Sequence, residues 1–369
     1  MTAFVKAGVT SGAKTLEGHW YTSPDVFARE QETIFSKQWV CVGREEALVA
    51  PGDFMLADVA GESLIVVRDG SDALHAFFNV CRHRGTRLCE SQSGRFTGSI
   101  QCPYHAWTYA LDGRLMAARN MSEVAGFDAN EYPLKQVRLA TWDGFVFVNL
   151  SSHAGEFESV YAPLLTRFAR WSIGSLRIAR TLSYTLECNW KLIFQNYSEC
   201  YHCPLVHPQL EKLSPSDSGR NDLTEGPFIG GYSDLRQGAS LTTSGATRRP
   251  PLPGLTPEDV ARSYYYTIFP TMLLSLHSDY VMVHYVRPVS PERTHVDCQF
   301  LFDPATMASA NFDPSDAVGF WNTTNRQDWH VNELTYNGVC SRSYTPGPYA
   351  HAEGLLAAFD QHYLSVMNA

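Results

Sequence analysis

Two short stretches of the sequence concentrate side chains that bind metals. CRHRG (81–85) and CPYH (102–105) supply Cys81, His83, Cys102 and His105 in the order Cys-x-His, eighteen residues, then Cys-x-x-His. Each arm offers one thiolate and one imidazole. Two cysteines can then hold one iron of a [2Fe–2S] cluster and two histidines the other, and neutral imidazoles in place of anionic thiolates raise its reduction potential. Gly85 and Pro103 suit tight loops folded over such a cluster. A zinc-ribbon-like Cys2His2 site would use the same four ligands. Zinc sites more often pair Cys-x-x-Cys with a second Cys-x-x-Cys or with closely spaced histidines, so one Cys and one His per arm favours the cluster.

The second stretch, ECYHCPLVH (199–207), packs Glu199, Cys200, His202, Cys203 and His207 into nine positions. Cys-x-x-Cys suggests zinc or a redox dithiol. Glu-x-x-His-x-x-x-x-His suggests a different metal, and the local residues alone leave the choice open.

The elements around these stretches differ in kind. From about 38 to 150 the chain is rich in short apolar or alternating runs, including QWVCVG, ESLIVVRDG, LHAFFNVC, SIQC, AWTYALDGRLM and GFVFVNL. Asp112-Gly113 between two such runs is a hairpin signal. This half reads as a small all-β unit, with 81–85 and 102–105 at the tips of strand-loop-strand arms. Beyond it, 156–172 has a helical pattern and 180–187 is β-rich. NWKLIFQNYSE (189–199) is helical again, and Pro204 is expected to kink or end it. The Gly-, Pro-, Ser- and Thr-rich 214–257 reads as a long loop region able to line a pocket. Three strand-like runs fill 263–302. A helix follows over about 313–337, with Asp313 or Ser315 as its N-cap, and a last helix over about 351–366. The expected organisation is an N-terminal segment (1–37) packing on the catalytic domain, a β domain (38–150) and a catalytic domain (151–369).

Composition limits the partners. A net charge of -9 argues against nucleic acid or an anionic membrane surface. No run approaches the roughly 18 apolar residues of a membrane span, and residues 1–18 lack the apolar core of a secretory signal. Nine irregularly spaced cysteines do not resemble a secreted disulfide framework. The expectation is a cytoplasmic protein with mostly free thiols.

The two arms closely resemble the Rieske motif, and from about 35 to 365 the chain resembles the large (α) subunit of a Rieske non-haem iron oxygenase. In that family a second motif carries an Asn, an acid and two histidines, and NWKLIFQNYSECYHCPLVHP supplies Asn196, Glu199, His202 and His207. The resemblance implies an α+β fold: an all-β Rieske [2Fe–2S] domain, then a helix-grip (START-like) antiparallel sheet with helices over it. Glu199 and His202, three apart, would share a helix face, and the break at Pro204 would return His207 to the same point. Two imidazoles and a carboxylate make the facial triad of an Fe(II) site with open positions for O2 and substrate. A zinc site of Cys200, His202, Cys203 and His207 would leave Glu199 and Asn196 without a role. The two cysteines then read as packing residues.

The family draws the third ligand from a late helix, which points to Asp328 in TNRQDWHVNEL; Glu333 lies on a different face, Asp316 near the helix start suits a cap, and His330 reads as a neighbour. The family's acid at position 199 bridges His202 to a Rieske histidine, His105, of the adjacent subunit, so a homotrimer is implied. The chain carries no GxGxxG and no second ferredoxin pattern. Electrons from NAD(P)H must therefore arrive through a separate flavin/iron–sulfur reductase. NYSECYHCPLVHP, SLHSDYVMVHYVRP and SRSYTPGPY are most similar to the branch containing glycine betaine monooxygenase, stachydrine demethylase and carnitine monooxygenase, which implies oxidation of an N-methyl group of a betaine-like small molecule. Tyr264, Tyr265 and Tyr266 alternate faces on a strand, so core packing is expected of them rather than a cation–π cage. Hydroxylation of an aromatic ring is the alternative reaction; a non-catalytic helix-grip protein with structural zinc is the alternative of another kind.

Overall fold

The computed structural model describes residues 3–369; Met1 and Thr2 lie outside it. The chain divides into two compact units, residues 31–165 and residues 166–369 together with the segment before residue 31. Residues 31–37 and 151–165 thus group with the β unit, where the sequence places the boundaries at 37/38 and 150/151.

The first unit is built from β1 (Val40–Arg44), β2 (Asp53–Val59), β3 (Glu62–Arg68), β4 (Leu74–Phe78), β5 (Ser93–Arg95), β6 (Ser99–Gln101), β7 (Thr108–Ala110), β8 (Leu115–Ala117), β9 (Gln136–Trp142) and β10 (Phe145–Asn149). Seven strands form an antiparallel sheet in the order β1-β10-β9-β4-β3-β2-β5, and β6-β7-β8 make a second, smaller one. In β3, Leu64 and Val66 belong to one buried cluster and Ile65 and Val67 to another, so both faces are covered and LIVV shows no alternation. The Asp112-Gly113 turn joins β7 to β8 as expected, with Gly113 at φ 89°. Strands β2, β5 and β9 were not among the marked runs, because their Asp, Arg and Gln residues interrupt the apolar pattern.

The second unit holds β11 (Arg177–Leu186), α1 (Trp190–Tyr197), α2 (Cys203–Val206), α3 (Pro208–Leu213), β12 (Arg220–Glu225), β13 (Phe228–Asp234), β14 (Arg262–Ile268), β15 (Met272–Leu276), β16 (Val281–Ser290), β17 (Arg293–Phe302), α4 (Ser315–Val339) and α5 (Gly354–Met367). Its antiparallel sheet runs β11-β17-β16-β15-β14-β13-β12. Helix α4 is tied to the sheet through Trp321 Nε1 donating to Tyr280 Oη (2.7 Å) and Tyr184 Oη donating to Asn322 Oδ1 (2.9 Å). Helix α1 is fixed at its start by Asn189, whose side chain accepts from the Lys191 amide, and by a buried Lys191–Glu30 ion pair. Trp190 and Tyr363 also donate to Glu30, so the buried carboxylate is fully engaged.

Four expectations are corrected. The helical pattern over 156–172 breaks into a turn of α-helix at Phe157–Val160 and a 3-10 turn at Ala169–Trp171, since Pro163 cannot continue a helix. The supposed loop 214–257 contains the hairpin β12–β13; Gly230 and Gly231 conceal its alternation, and a Cβ on Gly230 would lie 2.1 Å from the Tyr265 carbonyl oxygen. The run 263–278 is two strands, β14 and β15, paired through a turn at Phe269-Pro270. Neither Asp313 nor Ser315 is the N-cap of α4: Pro314 holds that position without a side-chain cap, Ser315 is the first helical residue, and Asp313 accepts from the Ser315 amide just ahead of the helix.

Candidate active site

In the first unit the two motif loops share one backbone frame. The Cys81 amide donates to the Thr86 carbonyl and the Gly85 amide to the Cys81 carbonyl (2.8 and 3.0 Å); the Cys102 amide donates to Trp107 and the Ala106 amide to Cys102 (2.8 and 3.1 Å). The fourth residue after each cysteine, Gly85 or Ala106, has positive φ, 73° and 57°. The result places both cysteine side chains inside, each 2% exposed, in one cluster with Ile100, Trp107 and Tyr109. The His83 and His105 rings sit at the outer end, 4.8 Å apart between centroids, with His83 exposed. Two residues absent from the sequence reading support this arrangement. The Tyr109 hydroxyl lies 3.3 Å from Cys81 Sγ and accepts from the Arg82 amide (3.0 Å), and the Trp107 ring stacks on His83 at 4.9 Å. Aromatics five and seven residues past the first position of Cys-x-x-His were the available signal.

In the second unit, α1 ends earlier than expected. Ser198 closes it, its hydroxyl donating back to the Phe194 carbonyl (2.7 Å) and meeting Thr267 Oγ1 of β14 at 2.9 Å. Pro204 does not end this helix; it sits in the first turn of α2, where its missing N–H costs nothing. Glu199 and His202 therefore lie in the link between helices and do not share a helix face. Glu199 accepts from the amides of Tyr201 and His202, just ahead of α2. His202 and His207 stand at the two helix junctions, and a chain turning at each brings both imidazoles to one point.

Asp328 meets them there. His207 Nε2 lies 2.8 Å from Asp328 Oδ1, His202 Nε2 lies 3.3 Å from the same oxygen, and the two Nε2 atoms are 3.2 Å apart. Donors about 2.1 Å from one ion lie about 3.0 to 3.4 Å apart. The three atoms are close enough together to share one metal ion. Each imidazole is held with Nε2 inward: His202 Nδ1 lies 2.5 Å from Glu199 Oε1, and His207 Nδ1 lies 2.8 Å from Gln327 Oε1. Such outer partners fix tautomer and ring orientation. Burial would push the His202 imidazole down, but Asp328 and Glu199 outweigh it and raise its pKa to about 10. The same two imidazoles hold the Asp328 carboxyl low against its burial.

The alternatives to Asp328 are engaged elsewhere. Glu333 accepts from the Glu187 amide, Asp316 pairs with Arg249, and His330 is exposed. Gln327 was not anticipated, since a glutamine on a helix carries no distinguishing signal. Cys200 and Cys203 are joined in a disulfide. This corrects their reading as separate packing residues and removes the thiolates that a local zinc site would need.

A cavity of about 400 Å³ borders the triad. Asn196, Tyr265, Trp321, Thr267 and Leu355 contribute to its wall, along with Glu199. The three consecutive tyrosines divide as a strand requires. Tyr264 and Tyr266 face away and donate to Asp259 and Asp222 (3.0 Å each), as core residues. Tyr265 instead faces the cavity, its ring 6.2 Å from those of Trp321 and Tyr197.

A cysteine–histidine double loop on a β unit, and a two-histidine, one-carboxylate face under a helix-covered sheet, define an iron-dependent oxygenase of two parts. The chain belongs to the family of ring-hydroxylating, Rieske-type oxygenase α subunits. Residues 38–132 match the Rieske [2Fe-2S] domain and residues 173–369 the ring hydroxylating alpha subunit (catalytic domain). Over 375 residues the chain is 30% identical to the glycine betaine monooxygenase oxygenase subunit of Chromohalobacter salexigens, covering 92% of this chain and 82% of that one. It is 38% identical over 198 residues to the carnitine monooxygenase oxygenase subunit of Escherichia coli (strain K12), 53% of each chain. Among solved structures, the quaternary ammonium Rieske monooxygenase CntA superposes with a TM-score of 0.84 at 28% identity over 96% of both chains. The family is one of non-haem iron enzymes with a Rieske [2Fe–2S] cluster and a mononuclear iron, which use O2 and electrons passed from NAD(P)H by a separate reductase. Among the described residues no helix is long and apolar enough to cross a membrane.

Proposed function

We propose that this chain is the oxygenase component of a two-protein system that hydroxylates an N-methyl carbon of a small quaternary ammonium compound. The observation that carries this reading is the cavity itself: it joins the three-ligand face to the rings of Tyr265, Trp321 and Tyr197. Aromatic faces attract an ammonium whose charge is spread over methyl groups. The glycine betaine and carnitine oxygenases named above support the same substrate class.

In this reading Cys81, His83, Cys102 and His105 hold the cluster, while His202, His207 and Asp328 hold the mononuclear iron. The iron, when bound, activates O2 beside the substrate. This chain's own residues do the rest. Glu199 and Gln327 keep both imidazole Nε2 lone pairs turned inward, Asn196 lines the approach, and the aromatic wall excludes water and orients the methyl group. One O2, two electrons and two protons give the N-hydroxymethyl compound and water; collapse of the hydroxymethyl group then releases formaldehyde, a proton and the demethylated amine. The CntA structure concerns inter-subunit electron transfer. By that likeness Glu199 also meets His105 of a neighbouring subunit, in a homotrimer that serves a cytoplasmic reductase. The test is NAD(P)H oxidation, O2 uptake and formaldehyde release in the presence of a reductase. Glycine betaine, carnitine or choline should stimulate all three together. Stimulation by an aromatic hydrocarbon alone, with no formaldehyde, would overturn the reading.

A further inference from the structure

Lys6 is the one lysine or arginine among the described residues that line the active-site cavity, whose other charged lining groups include Glu199, Asp217 and Asp328. A carboxylate entering this cavity meets an acidic wall within a chain of net charge -9. A cation at one point of that wall therefore decides where an anionic group can go.

The backbone fixes that point. Val5 pairs with Asn221 of β12 through two hydrogen bonds, its amide donating to the Asn221 carbonyl (2.7 Å) and its carbonyl accepting from the Asn221 amide (2.6 Å). The segment is thus an added bridge on the edge of the sheet. The Phe4 ring packs edge-to-face on Tyr232, another lining residue, at 4.8 Å. In extended backbone, alternate residues point the same way, so Lys6 projects to the side of Phe4, over the cavity. Beyond it the strap runs close to the start of α5: a Cβ on Gly354 would lie 2.8 Å from the Ala7 carbonyl. Among the described residues the Lys6 ammonium has no carboxylate within 4.0 Å, and its side chain is exposed at the cavity wall.

We propose that Lys6 is a specificity-determining residue that binds the carboxylate of a zwitterionic quaternary ammonium substrate. This rests on the substrate class argued above and narrows it. The carbon to be oxidised must reach the His202–His207–Asp328 face, so the charged tail of a betaine-type molecule must extend away from it. Lys6 offers that tail a point charge with three donors. A choline-type molecule, with a hydroxyl in place of the carboxylate, gains far less.

Equilibrium binding to the iron-loaded protein under anaerobic conditions tests this, with glycine betaine and choline as a matched pair titrated by calorimetry. Lys6→Ala should weaken glycine betaine about fivefold to tenfold and choline by much less. Lys6→Arg should restore most of the glycine betaine affinity, and Lys6→Glu should reverse the preference. Raised salt should weaken glycine betaine in the parent protein more than in Lys6→Ala, because screening acts on the pair that the variant lacks. Equal weakening of both ligands would make Lys6 a part of the strap only and overturn the inference, leaving the quaternary ammonium reading intact. No effect on glycine betaine would overturn it as well. If the parent protein binds neither ligand, the substrate class itself falls, and this inference with it.

Discussion

The two regions that carry the proposed metal ligands are held in opposite ways. The arms carrying Cys81, His83, Cys102 and His105 are set by main-chain hydrogen bonds within each loop, repeated from one arm to the other. The His202–His207–Asp328 face is assembled from segments 121 residues apart and set by side chains, Glu199 behind one imidazole and Gln327 behind the other. A site built from local backbone geometry tolerates change in its surroundings and is sensitive at its turns. A site built from distant side chains is sensitive to each partner that fixes a ring. The difference also separates the expected responses to mutation.

The largest effect should follow loss of a cluster ligand. Cys102→Ser is expected to abolish the visible absorption of the cluster and all reductase-dependent turnover. The catalytic unit should still bind mononuclear iron, because the proposed ligands lie in a separate compact unit. Loss of both metals together, by metal analysis, would break the separation drawn here. Glu199→Gln comes next. The cluster and the mononuclear iron should both be retained and the cluster should still be reduced by the reductase. Its reoxidation by O2 with substrate present should slow at least about tenfold, since the charged acceptor that positions His202 is gone. Iron lost as completely as in Asp328→Ala would mean that Glu199 is a ligand and not an outer partner.

Gln327→Leu should act more gently. It leaves the buried His207 Nδ1 without its acceptor, and mononuclear iron affinity should fall about 10- to 100-fold, measured by chelator competition, while the cluster spectrum stays unchanged. The smallest effect belongs to the backbone-held site. A Cβ on Gly85 would meet nothing within 4 Å, so the only cost of Gly85→Ala is its φ of 73°. That should lower the stability of the β unit by about 1 kcal/mol, read from denaturant unfolding followed by cluster absorption. Ala106→Gly, at the matching position, should not share that penalty.

The same contrast explains what the sequence made legible. The cluster arms could be read from spacing because their geometry is local: a cysteine, a histidine two or three residues on, then a turn. His202 and His207 were legible as a pair, but not the way the chain brings them together. Pro204 fits the end of one helix or the start of the next, and the structure has it in the first turn of α2. Asp328 was legible only through the resemblance, which asks for an acid on a late helix; the structure then shows that helix burying Trp321, Thr324 and Asn332. Gln327, one residue away, is an ordinary helix residue until His207 is placed beside it. The hairpin β12–β13 was hidden by glycines whose function is to have no side chain. The Cys200–Cys203 link was not legible, since a separation of three fits a metal pair, a dithiol or two packing residues alike.

The account stands most directly on Asp328 as the third member of the iron face. The decisive measurement is iron content and the visible spectrum of purified Asp328→Ala, reconstituted with ferrous iron beside the parent protein. The parent should hold two irons in the cluster and one more per chain. The variant should keep the cluster spectrum in full, lose the third iron and lose turnover. A variant that keeps all three irons, or loses the cluster while retaining mononuclear iron, would contradict the assignment of His202, His207 and Asp328 as one site.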